Sequence, residues 1–281
     1  MAYFSSRAGK LTLGQLNFLK VTSKTVIEHL PPEGEPRAFA LVVHGLNTKP
    51  EIMHPIIKQL NARGVYALNV CLAGHCQVNN LNQAVGGYGG FKDITLPQWF
   101  DDITHAYSEL KSINTIKPNY FVGYSTGALL GLVLIQQGKI AFDKLLLFAP
   151  AIALNKRQFL IRLIPFSTWV LPSFTPALYR AHRGTPVSVY TMLFELNKLF
   201  RQNHANVKLS CPALIFIDDK DELVSSSGIK GYIRQQNLYQ WQVLPVNKSL
   251  TLGFHHMLTQ ESYVGRHNWQ SMWQSISKFI I

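Results

Sequence analysis

Val122-Gly123-Tyr124-Ser125-Thr126-Gly127 is the stretch on which the rest of this chain turns. Ahead of it, Pro118-Asn119 breaks the chain and Tyr120 to Val122 is apolar. Behind it runs Ala128-Leu129-Leu130-Gly131-Leu132-Val133-Leu134-Ile135. That order predicts a strand, a sharp turn and a helix, with Ser125 at the apex and a glycine two residues to either side. A turn so tight has no room for side chains at the flanking positions, and it thrusts the serine into the open. The first N–H groups of a helix lack intrahelical partners, so the N–H of Thr126 can point at negative charge developing on a bound group. A plainer βα turn, whose serine only caps the helix, fits the same letters. A base and an acid elsewhere in the chain would separate the two.

Upstream, Val21 to His29 reads as a strand closed by Pro31-Pro32. Ala38 to Val43 is a continuous apolar run, as expected of a strand covered on both faces. A helix from about Pro50 to Ala62 and a second buried strand, Val65 to Cys71, follow. Leu72 to Leu96 predicts a long Gly- and Asn-rich loop. Its Gly86-Gly87-Tyr88-Gly89-Gly90 has neither the preceding strand nor the following Lys-Ser/Thr of a phosphate cradle, so it reads as flexible loop. Pro97 opens a helix with apolar positions Ile103, Tyr107 and Leu110.

Downstream, Asp143 to Ala149 predicts another buried strand. Ala213–Ile217, the helix Ser225–Gln236, the short strand Gln240–Leu244 and a terminal helix from about Tyr263 to Ile281 resume the alternation. Repeated βα units around buried strands predict a mostly parallel sheet with helices on both faces, an α/β fold. The core comprises 1–150 and 209–281. The segment 151–208 reads as helical fragments broken by proline, with no clear strand, inserted as a cap.

The chain has 281 residues, 47% hydrophobic and 15% charged, ample for one large core and unlike a disordered chain. A net charge of +12 would suit nucleic acid, an anionic membrane surface or acidic substrates. No nucleic-acid motif and no run of more than two Lys/Arg is present, so no nucleic-acid partner is expected. The segment 151–208 concentrates the charge, with eight Lys/Arg against one acid, Glu195. Cys71, Cys76 and Cys211 are an odd number in a long chain. They indicate no disulfide framework, and apolar packing is the expected role of Cys71 and Cys76. Met1 to Lys20 lacks the pattern of a signal peptide, which points to the cytoplasm. Phe159 to Leu178 is nearly uncharged, but Pro165, Pro172, Pro176 and Arg162 argue against a spanning helix and for a broken, surface-lying segment.

A serine hydroxyl at neutral pH needs a histidine as base and a carboxylate to hold it. In an open α/β sheet these sit on loops beyond the carboxyl ends of strands. After the strand ending at Ile217 comes Asp218-Asp219-Lys220-Asp221-Glu222. Asp221 has the reach into the loop, with Asp219 and Asp218 as alternatives. Beyond the next strand comes Phe254-His255-His256-Met257-Leu258. His256 is favoured because it precedes the apolar pair that re-enters the helical layer, and His255 would be a supporting or exposed residue. His255-His256 without a third ligand makes a poor metal site, so neither metal nor cofactor is implied. His44-Gly45-Leu46 ends an early strand, and the N–H of Leu46 would join that of Thr126 as an oxyanion donor. His44 and His75 read as structural hydrogen-bonding residues.

With these motifs the chain resembles the α/β-hydrolase superfamily over nearly its whole length. More closely it resembles the branch of monoacylglycerol lipases, lysophospholipases, carboxylesterases and serine aminopeptidase-like hydrolases. His44-Gly45, Ala73-Gly74-His75, Trp99 with Asp102, Gly123-Tyr124-Ser125-Thr126-Gly127, Asp221 with Val224, and His256 carry the resemblance. It departs at Cys76, where a second glycine is frequent, and at Asp218, where a glycine is usual. The resemblance implies a serine hydrolase with Ser125, Asp221 and His256 as triad. A monoacylglycerol, a lysophospholipid or a simple acyl ester would be its substrate. It also implies a cap that shapes an acyl pocket, for which Phe159, Phe166 and Trp169 are candidates. Apolar and basic together, that cap would suit peripheral contact with an anionic membrane surface.

Overall fold

The computed structural model describes residues 25–76, 88–91, 93–114, 116–173, 175–202, 209–248 and 253–280. Seven strands form one sheet: β1 (Val26–Leu30), β2 (Ala38–Val43), β3 (Val65–Cys71), β4 (Asn119–Tyr124), β5 (Lys144–Phe148), β8 (Ala213–Ile217) and β9 (Trp241–Pro245). Their order across the sheet is β1-β3-β2-β4-β5-β8-β9. Only β1 runs antiparallel to its neighbour; every other pairing is parallel. The carboxyl ends of β2, β3, β4, β5, β8 and β9 therefore share one edge, and the loops that leave them share one rim.

Successive residues of each buried strand serve opposite faces. Leu41, Phe121, Leu147 and Ile215 pack into one core with α2 (Leu96–Ile113), α3 (Thr126–Gln136) and α5 (Ser226–Gln235). Val42, Val122, Leu146 and Leu214 pack into the other with α1 (His54–Asn61), α6 (Glu261–Val264) and α7 (Arg266–Ile280). This double burial explains why the central strands read as unbroken apolar runs. Every residue of α3 is buried, so it shows no polar stripe and sits at the centre of its layer. The β1 strand begins at Val26; residues 21–24 of the expected strand, and residues 77–87 and 92 of the loop expected over 72–96, lie outside the described residues.

The chain leaves the sheet after β5 and returns at β8. It passes through a 3-10 turn at Lys156–Leu163, two short antiparallel strands, β6 (Val170–Pro172) and β7 (Gly184–Pro186), and α4 (Val187–Gln202). The two strands differ from the strandless sequence expectation. Three residues each, ending in proline, carry no readable alternation. Helix α4 packs on α3 and buries Val189, Leu196 and Phe200 in the same core.

Cys71 and Cys76 form a disulfide, contrary to the packing role expected of them. The chain turns sharply after β3, with His75 N–H donating to Leu72 C=O at 3.0 Å, and this brings the two Cα atoms to 6.2 Å. An odd cysteine count cannot reveal a turn that folds two near neighbours together. Cys211 is the free thiol.

Candidate active site

Ser125 follows the last residue of β4 and precedes α3, with φ 51° and ψ −116°. So unusual a backbone costs on the order of 1–3 kcal/mol and is held by its surroundings. Ser125 N–H donates to Phe148 C=O on β5 at 2.9 Å, and its own carbonyl accepts from Ala151 N–H at 3.1 Å. The flanking glycines are required by space. A Cβ on Gly123 would sit 2.5 Å from Ala128 Cα, and one on Gly127 would run into the carbonyls of Val43 and His44. Ser125 does not cap α3 with its side chain.

Its hydroxyl instead meets His256 Nε2 at 2.8 Å, and His256 Nδ1 meets Asp221 Oδ2 at 2.8 Å. All three residues are buried. The other oxygen of Asp221 accepts from the N–H groups of Leu223 and Val224, both at 2.8 Å, so the carboxylate is fixed in plane. The Asp221 carboxylate accepts a hydrogen bond from Nδ1–H, which keeps that proton on Nδ1 and leaves the Nε2 lone pair facing the serine hydroxyl. The sheet explains the meeting. Residues 125, 221 and 256 follow β4, β8 and β9, parallel strands whose exits share one rim.

Two backbone N–H groups are aimed by their neighbours. A planar peptide points its C=O and N–H in opposite directions. Gly45 C=O accepts from His44 Nδ1 at 2.9 Å and from Thr48 Oγ1 at 2.8 Å, which fixes the direction of the Leu46 N–H in the same peptide. Ser125 C=O, held by Ala151 and Leu129 N–H, does the same for the Thr126 N–H. Gly45 lies against the serine: a Cβ there would be 3.2 Å from Ser125 Cβ.

His44 and His75 are buried supports, as their sequence positions suggest. His44 Nε2 accepts from Leu72 N–H at 3.1 Å, which places its proton on Nδ1, toward Gly45 C=O. Burial pushes its pKa down to about 4, against the pull of that carbonyl. His75 Nε2 accepts from Asn47 N–H at 3.0 Å, and burial holds it well below the ordinary imidazole value. Asp102 accepts from Ala73 N–H at 2.7 Å and from the Thr25 hydroxyl at 2.9 Å, while Trp99 Nε1 donates to Ala73 C=O at 2.9 Å. Burial raises Asp102 to about 6, against those two donors.

Phe159 stacks on Phe194 of α4, and Phe166 packs on Trp169 with both exposed. The roles of Asn47, Glu222 and Lys248 went unmarked in the sequence, and His255, expected as a supporting or exposed residue, is buried. Asn47, at φ 51°, bonds the 181–185 segment through His182 N–H at 2.8 Å, His182 C=O at 3.0 Å and Thr185 Oγ1 at 2.9 Å. His255 is buried, with Nδ1 2.9 Å from Asp218 Oδ2. Glu222 and Lys248 bond the backbone on either side of His256. For Asn47 a signal existed, since asparagine after a strand-end His-Gly tolerates positive φ. For the others, spacing carries none. Among the described residues no group of three or more His, Cys, Asp or Glu could hold a metal ion.

A serine–histidine–aspartate relay at the carboxyl rim of a mostly parallel sheet invites comparison with known proteins. The family model described as serine aminopeptidase, S33, matches residues 34–190. The chain belongs to this hydrolase family. The match includes Ser125 and ends before Asp221 and His256. No curated protein sequence matches this S33 hydrolase. A soluble variant of monoglyceride lipase from Saccharomyces cerevisiae, solved with a substrate analog, is 14% identical with a TM-score of 0.71, covering 91% of this chain and 90% of that one. Paleococcus ferrophilus monoacylglycerol lipase is 13% identical with a TM-score of 0.67, covering 92% and 98%. A thermostable carboxyl esterase from Bacillus coagulans is 15% identical with a TM-score of 0.63, covering 92% and 94%. At these identities the likeness is one of fold, and the S33 hydrolase has the α/β-hydrolase fold.

Proposed function

We propose that the chain is a serine hydrolase that cleaves carboxylic esters through an acyl-enzyme. The observation that carries this is the relay of two 2.8 Å contacts from Asp221 through His256 to Ser125. Ser125 Oγ attacks the ester carbonyl carbon while its proton passes to His256 Nε2. The carbonyl oxygen, now negative, faces the N–H groups of Leu46 and Thr126. The imidazolium, held by Asp221, protonates the departing alcohol. Water then attacks the acyl-serine, with His256 again taking the proton. A monoacylglycerol, a lysophospholipid or a simple short-to-medium acyl ester is the substrate class, in keeping with the lipases and esterases that share the fold. No cofactor takes part in these steps.

Fluorophosphonate labelling tests the reaction class. The wild type labels and Ser125→Ala does not; a folded wild type that stays unlabelled removes the proposal. A second reading, cleavage of an amide bond, has in its favour the aminopeptidase description of the family. A panel of nitrophenyl esters of increasing acyl length, lysolipids, acyl-CoA and aminoacyl anilides separates the two by kcat/KM. Turnover of the anilides alone would replace the ester reading.

We also assign 151–208 as the cap and give it a peripheral role at anionic lipid. Leu160, Leu163, Phe166, Trp169, Val170 and Leu178 are exposed there, beside Lys156, Arg157 and Arg162. No described helix is long and apolar enough to cross a membrane. The protein floats with anionic vesicles and less with zwitterionic ones. Absence from both fractions ends the idea.

A further inference from the structure

We propose that Glu222 and Lys248 form a charged clamp on the peptide groups around His256, making Glu222 a positioning residue for the imidazole. The proposal rests on His256 being the base. Glu222 Oε1 accepts from His255 N–H at 2.9 Å and Oε2 from His256 N–H at 3.0 Å, one carboxylate spanning two successive donors. Lys248 Nζ donates to the carbonyls on either side, Phe254 at 2.7 Å and Met257 at 3.0 Å. Tyr124 Oη donates to His256 C=O at 3.3 Å. Side chains thus make five bonds to the peptide groups of this step, and four of the five are charge-assisted.

The clamp does what Asp221 alone cannot. Asp221 fixes one ring nitrogen, which leaves the ring free to pivot with its backbone. Glu222, the next residue, fixes that backbone from the same loop, so ring and main chain move as one body. Asp218 adds a third point through His255 Nδ1 and accepts Lys248 N–H at 3.2 Å. With His255 tied to Asp218 and His256 to Asp221, the register that presents His256 rather than His255 to Ser125 is set. Burial lowers Lys248 to about 8, against the raising effect of Asp218, Glu222 and Asp221. Glu222 itself is exposed, so the fold does not depend on burying it.

Glu222→Gln is the test. An amide offers one oxygen where the carboxylate offers two and turns N–H toward one of the two backbone donors. On a nitrophenyl ester, kcat falls about ten- to hundredfold, the effect of small misplacement of a reacting group, while KM stays within about twofold. The melting temperature stays near that of the wild type. Lys248→Met attacks the clamp from its carbonyl side and gives the same split, and it decides the matter if Glu222→Gln does not fold. A folded variant with wild-type kcat, or a loss carried by KM, overturns the clamp. Unfolding of both variants also overturns it, by assigning the pair to stability. An inactive but folded wild type is a different result: it removes the hydrolase proposal, and the clamp with it.

Discussion

Ser125 is held in a backbone conformation that few residues tolerate, and its neighbours show what the chain gives up to hold it there. Gly123→Ala puts a methyl group 2.5 Å from Ala128 Cα, where backbone must move. The substitution lowers stability by about 1–3 kcal/mol, the usual range for overpacking, as read by urea denaturation. On the proposed ester mechanism, Ser125→Ala and His256→Ala each reduce turnover by about 10⁴-fold or more, since the members of a triad act as a unit. His255→Ala, on the Asp218 side, retains far more activity than His256→Ala. Equal losses would mean that the two histidines share the base role. The distinction matters because adjacent histidines look alike in sequence. The structure tells them apart: His255 faces Asp218 at 2.9 Å, whereas His256 faces Asp221 at 2.8 Å and Ser125 Oγ at 2.8 Å.

At the scale of elements, the loop after β2 joins two parts of the molecule. Asn47 follows directly on Leu46 and holds His182 and Thr185 from the segment between β5 and β8. Asn47→Ala removes three side-chain bonds and places alanine at positive φ. Limited proteolysis between residues 160 and 183 then accelerates, and kcat/KM falls. An unchanged cleavage rate would show that other contacts hold the segment. The loop after β3 carries the Cys71–Cys76 bond around Ala73-Gly74-His75, and His75 receives the Asn47 N–H. Unfolded without reductant, the chain takes up one equivalent of iodoacetamide, at Cys211, and three after reduction. Three equivalents without reductant would show that the bond is absent.

For the whole molecule, buried titrating groups set how stability changes with pH. His44 has a folded pKa of about 4 against 6.5 when unfolded. Above pH 6.5 neither state binds the proton. As pH falls toward 4 the unfolded chain binds it and the folded one does not, so about 3 kcal/mol of stability is lost. His75, also held well below its ordinary value by burial, adds loss of the same sign. Asp102 works the other way: raised from 3.8 to about 6, it favours the folded state as pH falls between these values. It offsets roughly one of the two histidines. The melting temperature therefore falls between pH 6.5 and 4, and His75→Gln flattens the slope. A melting temperature that holds steady across that window would contradict this balance.

The glycine-flanked serine and the unbroken apolar strands were legible along the chain because each depends on local sterics or period, and the acid and histidine were sought where strands end. A Cβ on Gly123 would strike Ala128 of the same turn, and a strand buried on both faces needs apolar residues throughout. Tertiary structure alone decided the rest. Asp218 and Asp221 lie three residues apart in one loop, and only the paths of β8 and β9 assign one to His255 and the other to His256. Cys71 meets Cys76 because the chain turns back after β3. Glu222, Lys248 and Asn47 act on backbone groups outside their own elements, and a backbone N–H or C=O has no letter of its own. A contact made to such a group leaves no pattern to read.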